Sequence, residues 1–338
     1  MKEAMFYEKI GGNRVRCYLC PHRCKISPGK RGICGVRENR EGTLYTLVYQ
    51  KVVSWAVDPI EKKPLYHFYP GEDAFSIATV GCNFHCLHCQ NYSISQFSKE
   101  REDIPGEDIS PEEIIRLAKQ KKTKIIAYTY TEPTIFFEYA YDTCRLAKKE
   151  GIKNVFVTNG YIEEEPLREI APYMDAANVD LKSIREEFYN KICGAHLNPV
   201  LKTLKLMKEL GIWVEVTTLI IPTLNDSKGE QKEIANFIAT LGKETPWHIS
   251  RFYPAYRLTN LPPTPAETLH QARRIGLEAG LKYVYVGNLP KNEGENTYCP
   301  NCGRIIINRS GYWIGKIKIK QGRCGYCSFP IEGVWKFK

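Results

Sequence analysis

From residue 75 onward, short apolar runs alternate with amphipathic segments, and this alternation narrows the possible folds more than any other feature of the chain. The strand-like runs are Phe75 to Val80, Lys124 to Thr129, Asn154 to Thr158, Met174 to Asp180, Trp213 to Ile221, Trp247 to Phe252 and Tyr283 to Val286. Helix-like segments fall between them at 111–121, 134–150, 163–171, 198–210, 227–241 and 265–279. The first of these opens with Ser110-Pro111-Glu112-Glu113, a hydroxyl cap followed by proline in the first turn. Short strands each followed by an amphipathic helix build right-handed βαβ units and a parallel sheet covered by helices. Six or seven such units suit a barrel, complete or partial, better than a doubly wound open sheet. In a barrel the chemistry collects at the C-terminal ends of the strands, so residues there are read first as ligand-facing.

The loop after the first run is Gly81-Cys82-Asn83-Phe84-His85-Cys86-Leu87-His88-Cys89-Gln90-Asn91. Three thiolates this close suit a soft metal centre, and a [4Fe-4S] cube held by three cysteines keeps one iron open. A zinc site would recruit a fourth ligand, for which His85 and His88 are near enough. A disulfide within the loop would leave one cysteine over.

Two further cysteine groups flank the alternating region. Cys17, Cys20, Cys24 and Cys34 fall within eighteen residues, too short a stretch to fold on a core of its own. Tetrahedral zinc fits this knuckle, with a second iron–sulfur cluster as the rival. The tail carries Cys299-x2-Cys302 and Cys324-x2-Cys327 around the apolar ribbon Ile305 to Ile319, the pattern of a zinc ribbon, with a rubredoxin-like iron as the alternative. Thirteen cysteines in a chain of 338 residues without a signal-peptide pattern read as metal ligands and place the protein in the cytoplasm. Residues 43 to 57 are β-branched and aromatic and predict one or two strands ahead of the barrel. The net charge of +10 carries no arginine-rich run; it permits an acidic partner or a nucleic acid and requires neither. No apolar run is long enough to span a membrane.

Cys82-x3-Cys86-x2-Cys89 at the end of a first strand resembles the signature of the radical S-adenosylmethionine (SAM) enzymes. Within them the chain resembles the proteins related to pyruvate formate-lyase activating enzyme, in particular the radical member of the AmmeMemoRadiSam set. The resemblance covers about 75 to 290 and implies a partial (β/α)6 TIM-like barrel, with a [4Fe-4S] cluster on Cys82, Cys86 and Cys89 whose open iron is chelated by SAM. The implied organisation is a four-cysteine knuckle and strands over 1–70, the barrel over 71–290 and a zinc-ribbon-like module over 291–338. The implied reaction is reductive cleavage of SAM to a 5′-deoxyadenosyl radical that takes a hydrogen atom from a substrate. Alternatives are a glycyl-radical activase and a non-catalytic metal scaffold. The implied partners are an electron donor such as ferredoxin or flavodoxin, and Memo-type and AMMECR-type proteins.

The same resemblance assigns cofactor contacts. Thr131-Glu132-Pro133 stands where the family has Gly-Gly-Glu-Pro, so Glu132 would meet the cofactor's ammonium, with Tyr130 and Thr131 in place of two glycines. Thr158-Asn159-Gly160 resembles the family's turn of that sequence, and Asp180-Leu181-Lys182 its Asp-Leu-Lys. Lys182 would pair with the cofactor carboxylate, and Asp180 with Thr158 could face it through a monovalent cation, a site weakened by Val157 where an aspartate is usual. Alternation along the fifth strand puts Glu215, Thr217 and Leu219 on one face, and a lumen glutamate needs a partner such as a lysine or charged ligand. His248, Arg251 and Tyr253 follow strand six, where adenosine or substrate could sit. Cys193, beside Gly194, is a candidate substrate-facing thiol, whereas Cys144 reads as a small buried side chain. Asp58 to Phe68 resembles a stretch recurring in this subgroup, and is read as a loop braced over the cluster or a plain connector.

Overall fold

The computed structural model describes residues 1–290 and 292–335, so Lys291, at the expected module boundary, and residues 336–338 of the expected tail module lie outside the described residues. The central sheet has eight strands. Strand β1 (Ser54–Pro59) pairs antiparallel with β2 (Asp73–Ala78). Strands β3 (Ile125–Tyr128), β4 (Lys153–Thr158), β5 (Ala176–Asp180), β6 (Trp213–Ile220), β7 (Trp247–Arg251) and β8 (Val284–Gly287) follow in parallel, each beside its predecessor. The crossovers are α1 (Pro111–Gln120), α2 (Phe137–Lys149), α3 (Glu164–Ile170), α4 (Leu197–Glu209), α5 (Lys228–Leu241) and α6 (Ala266–Glu278). Strands β1 and β8 are the two edges, so the sheet is a partial TIM-like barrel that stays open. The boundaries expected from the sequence agree with these to within three residues. Ser110 caps α1 as expected, its hydroxyl accepting from Glu113 N.

Neighbouring residues on each strand pack on opposite sides of the sheet, as a period of two requires. Phe75, Ile126, Phe156 and Val214 join the core beneath the helices. Ala74, Ile125, Ala127, Val155 and Ala176 face the lumen, and there they meet Ile60, Leu65, Phe68 and Tyr69. The segment 60–69 therefore plugs the barrel from inside. It is more than a plain connector, and its Lys62 and Lys63 line the same cavity as the cysteine loop.

The appendages share cores with the barrel. Val15, Leu19, Ile26, Val36 and Leu44 bury into the helix-side core. The tail contributes Ile306 and Ile331 to a cluster with Tyr66, Tyr283 and Tyr285. Arg309 ties the tail to the plug by donating to Tyr66 O at 2.8 Å, and Val334 exchanges backbone bonds of 2.7 Å with His67 and Tyr69. Within the tail, strands β9 (Ile305–Ser310) and β10 (Trp313–Ile317) form an antiparallel hairpin.

Candidate active site

A cavity of about 510 Å³ opens at the C-terminal ends of the strands, within the size range of small-molecule sites. Cys82, Cys86 and Cys89 line it, and so do Glu132, Thr158, Asn159, Asp180, Lys182 and Thr217. The structure thus brings together residues from five separate loops or strand ends that the sequence had nominated one at a time. Tyr253 is not among the lining residues; it stands 37% exposed and its hydroxyl accepts from Arg251. Ser250 lines the cavity in its stead. Alternation along β7 carries the signal: His248 faces the lumen, so Ser250, two residues on, must too.

The cysteine loop is braced from both sides. Gly81 adopts φ +101°, and a Cβ there would fall 2.7 Å from Val36 Cγ1 and 3.0 Å from Cys34 O, so only glycine fits. On the other side a π-helical turn, Tyr189–Cys193, accepts from His85 N through Cys193 O (2.8 Å) and from Leu87 N through Ile192 O (3.0 Å). Cys193 itself is fully buried and does not line the cavity. Its backbone carbonyl meets the cysteine loop. His85 points away into a cleft with Lys99 and Glu100. His88 is 4% exposed and lines the cavity, its Nδ1 without a partner, and burial followed by the charge of Lys182 lowers its pKa to about 3.

Glu132 organises the next two loops. Its Oε1 accepts from Thr134 N (3.0 Å), Thr134 Oγ1 (2.7 Å) and Thr158 Oγ1 (2.7 Å), and its Oε2 from Asn159 N (2.7 Å). The carboxylate both caps the turn Pro133–Phe136 and holds the Thr-Asn-Gly turn in place. Asn159 Nδ2 in turn donates to Asn83 Oδ1 at 2.8 Å, which links that turn to the cysteine loop. Tyr130 holds φ +63°, the left-handed conformation that a glycine would adopt freely. Its ring is secured on the plug, with the hydroxyl bonded to Asp58 and Lys63 Nζ 4.5 Å above the ring. Side-chain anchoring thus sustains the backbone conformation that the missing glycine would have supplied.

Lys182 Nζ donates to Asp180 Oδ2 at 2.8 Å. Burial opposes its charge, but Asp180 and the nearby thiols raise its pKa well above that of an ordinary lysine, so the ammonium persists. Thr158 is engaged by Glu132 and Asp180 by Lys182, so the two do not meet. The lumen glutamate found partners unlike those expected. Glu215 accepts from Tyr66 N (2.9 Å), His67 N (2.8 Å) and Trp213 Nε1 (3.0 Å), and pairs with His248 Nε2 (2.7 Å). His248 is therefore structural, and Arg251 is held by Thr264 O. Sequence reasoning missed Lys62, Lys63 and Tyr312, which also line the cavity. Tyr312 arrives from the tip of the β9–β10 hairpin.

At the tail, the Sγ atoms of Cys299, Cys302, Cys324 and Cys327 all lie within 4.8 Å of one another, with Cys299–Cys327 at 3.6 Å and Cys302–Cys324 at 3.8 Å. Cys17, Cys20, Cys24 and Cys34 line one small apolar chamber.

The model of the Radical SAM superfamily matches residues 76–238. The chain carries a radical SAM superfamily domain. An uncharacterized protein of Methanocaldococcus jannaschii is 52% identical over 335 residues, covering 98% of this chain and 99% of that protein. The likeness therefore extends through both appendages. Pyruvate formate-lyase-activating enzyme of Clostridium pasteurianum is 25% identical over 167 residues, 48% of this chain and 67% of that enzyme. The crystal structure of a radical SAM methyltransferase from Sphaerobacter thermophilus has the same fold, with TM-score 0.50 and 14% identity over 67% of this chain and 68% of that one. Members of the superfamily are enzymes, and the domain implies a [4Fe-4S] cluster and SAM. The residues present fit both groups. Three soft thiols, those of Cys82, Cys86 and Cys89, line the cavity, and the Lys182 ammonium lines it with them.

Proposed function

We propose that Cys82, Cys86 and Cys89 hold a [4Fe-4S] cluster and that the polar wall from Glu132 to Thr217 holds SAM, for hydrogen-atom abstraction from a substrate at the mouth. When bound, the two groups supply one-electron cleavage of the sulfonium and the oxidising equivalent that removes a hydrogen atom. The chain's own residues bind and orient. Lys182 offers its ammonium to the cofactor carboxylate, a charge-assisted bond in a site screened from water. Glu132 serves mainly through the turns it pins, since four donors already occupy its carboxylate. The plug closes the floor below, and Tyr312 stands at the rim.

The observation that carries this reading is the convergence of the three thiols and the six polar residues on one cavity. Anaerobic reconstitution with SAM and dithionite should yield 5′-deoxyadenosine, and Cys86→Ala should abolish it, since two thiolates do not hold a cube. Deoxyadenosine made equally by that variant would end the reading. A protein that makes none when fully reconstituted would instead be a metal scaffold.

The reading extends to an electron donor of ferredoxin or flavodoxin type and to action beside Memo-type and AMMECR-type proteins in the cytoplasm. Its support is the resemblance of the N-terminal thiols and of Asp58 to Phe68, and a net charge of +10 suits an acidic partner. Among the described residues, no helix is long and apolar enough to cross a membrane. We propose that the tail tetrad holds a single tetrahedral ion, zinc or a rubredoxin-like iron, because metal–sulfur bonds of about 2.3 Å set thiolates roughly 3.8 Å apart. A second reading, a glycyl-radical activase, is favoured by the Clostridium relative. It predicts a glycyl radical, detected by electron paramagnetic resonance, on a partner enzyme incubated with the reduced protein and SAM.

A further inference from the structure

Acidic and basic side chains alternate along most of the chain, but not through the tail. Residues 296–331 carry six basic side chains, Arg304, Arg309, Lys316, Lys318, Lys320 and Arg323, and no aspartate or glutamate. Arg309 is buried, with Glu61 Oε1 at 3.9 Å. The other five are exposed, so the outer face of the module is positive and holds no carboxylate of its own. Ile319 packs against the module's core, which turns Lys318 and Lys320, on either side of it, outward.

Aromatic rings stand among these cations. Tyr312 is 55% exposed, Trp313 65% and Tyr326 45%. The Trp313 ring lies over Gly315, where a Cβ would come 3.1 Å from Cζ3, so the strand itself seats the ring. Arg304 sets its guanidinium 5.0 Å from the centre of the Tyr326 ring. Gly325 N donates to Lys318 O at 2.7 Å, which brings that ring beside the lysines. Strand β10 is an edge of its sheet, and lysines alone on an edge would serve to deter pairing with another chain. Uncovered rings beside them work against that purpose and call for a ligand. Cations interleaved with ring faces match the two chemistries of a single-stranded nucleic acid, its phosphates and its unstacked bases. An acidic protein surface offers carboxylates to the lysines but no row of flat faces to the rings.

We infer that the tail module binds a single-stranded nucleic acid, phosphates along Lys316, Lys318 and Lys320 and bases against Trp313 and Tyr326, and leads the strand to the mouth of the barrel. Tyr312 adjoins Trp313 and lines the cavity, so a nucleotide held at the hairpin tip stands at the rim. That this nucleotide gives up the hydrogen atom rests on the radical chemistry proposed above; the binding does not.

Fluorescence anisotropy of a labelled oligonucleotide of about 16 nucleotides, as RNA and as DNA, tests the binding on the reconstituted full chain. Affinity should fall steeply with salt for the preferred strand. Lys316→Ala with Lys318→Ala and Lys320→Ala should flatten the logarithmic salt slope by about 2. Trp313→Ala should weaken binding roughly 5- to 150-fold, and Trp313→Phe should retain most of it. All four side chains are exposed, so these variants should melt close to the unaltered chain. Absence of salt-dependent binding to either strand would overturn the inference. So would tighter binding of the duplex, equal competition by poly-L-glutamate of the same charge, or variants that bind like the parent. Cys86→Ala, which removes deoxyadenosine formation, should bind the strand unchanged, so failure of either reading leaves the other standing.

Discussion

The lumen and the mouth of this barrel are built from the same strands, two residues apart, and treat polar groups in opposite ways. In the lumen, Glu215 is completely buried and its carboxylate is met by two plug amides, an indole N–H and an imidazole. One pleat higher, Thr217 and Lys182 line the cavity, each with one bond to its own chain, to Asn178 and Asp180, and His88 keeps a buried nitrogen with no partner. A polar group satisfied by its own chain serves the fold, whereas one left facing a cavity is held ready for something else. The contrast predicts that lumen substitutions damage stability and mouth substitutions damage binding.

Glu215→Gln should produce the largest effect. The amide keeps the shape but sets an N–H against the donors of the plug, leaving at least one buried group unpaired beside His248. Breaking a buried charged network from one side typically costs about 3–5 kcal/mol. For a chain of this size that is a fall in melting temperature of roughly 4–7 °C. In the surviving folded fraction, SAM affinity should stay within about twofold. Calorimetry and equilibrium binding on one preparation would check both halves.

Lys182→Ala should invert that pattern. Asp180, which would lose its partner, is 35% exposed and can be hydrated, so the stability cost is small. A charge-assisted bond to the cofactor is worth about 1.5–3 kcal/mol, so SAM should bind roughly 10- to 100-fold more weakly. Equal melting loss from both variants, with affinity unchanged in both, would erase the distinction between lumen and mouth.

The plug supplies a pH test of the same distinction. Burial pushes the Glu61 carboxyl up to about 7 from 4.5, against the opposing pull of Arg309 and the Gly71 amide. A raised pKa means that the folded state holds the proton more tightly. The stability it contributes is full below the unfolded value, near 4.5, and is lost as pH rises through about 7. The cost across that window is on the order of 3 kcal/mol. Glu61→Gln should flatten the decline in melting temperature between those pH values and leave SAM binding alone. An unaltered slope would show that Glu61 is not the titrating group.

Local signals carried most of the barrel into view. Period-two and helical patterns located β2 to β8 and α1 to α6, because each of those elements buries one face against the next. The thiol loop and the turns at Glu132, Thr158 and Lys182 were legible because their spacing is short. The plug was not. Ile60, Leu65, Phe68 and Tyr69 show no period, since an irregular segment inside a lumen takes its side-chain directions from the surrounding strands. The partners of Glu215 were hidden for a related reason. Two of them are backbone amides, which carry no sequence signature at all. Cys193 was misread because its burial depends on the π-helical turn, a feature that residue type does not announce.

Tyr312 marks where lumen and mouth are joined by a third element, and it predicts the smallest effect. It lies at the tip of the β9–β10 hairpin, is 55% exposed and reaches the cavity wall from outside the barrel. The hairpin is fixed close to its tip through Arg309, which bonds Thr297 Oγ1 at 2.6 Å and the plug at Tyr66 O. The rim residue is thus mounted on the same rigid network that satisfies the lumen, and its position does not depend on its own contacts. Tyr312→Ala should leave the melting temperature within about 1 °C, because an exposed side chain contributes little to the core. It should also leave SAM affinity nearly unchanged. What it should alter is solvent access: the fraction of SAM cleaved without substrate oxidation should rise severalfold, read as deoxyadenosine formed in the absence of substrate. A variant with unaltered uncoupled cleavage would place Tyr312 outside the working site and confine the tail to bracing the plug.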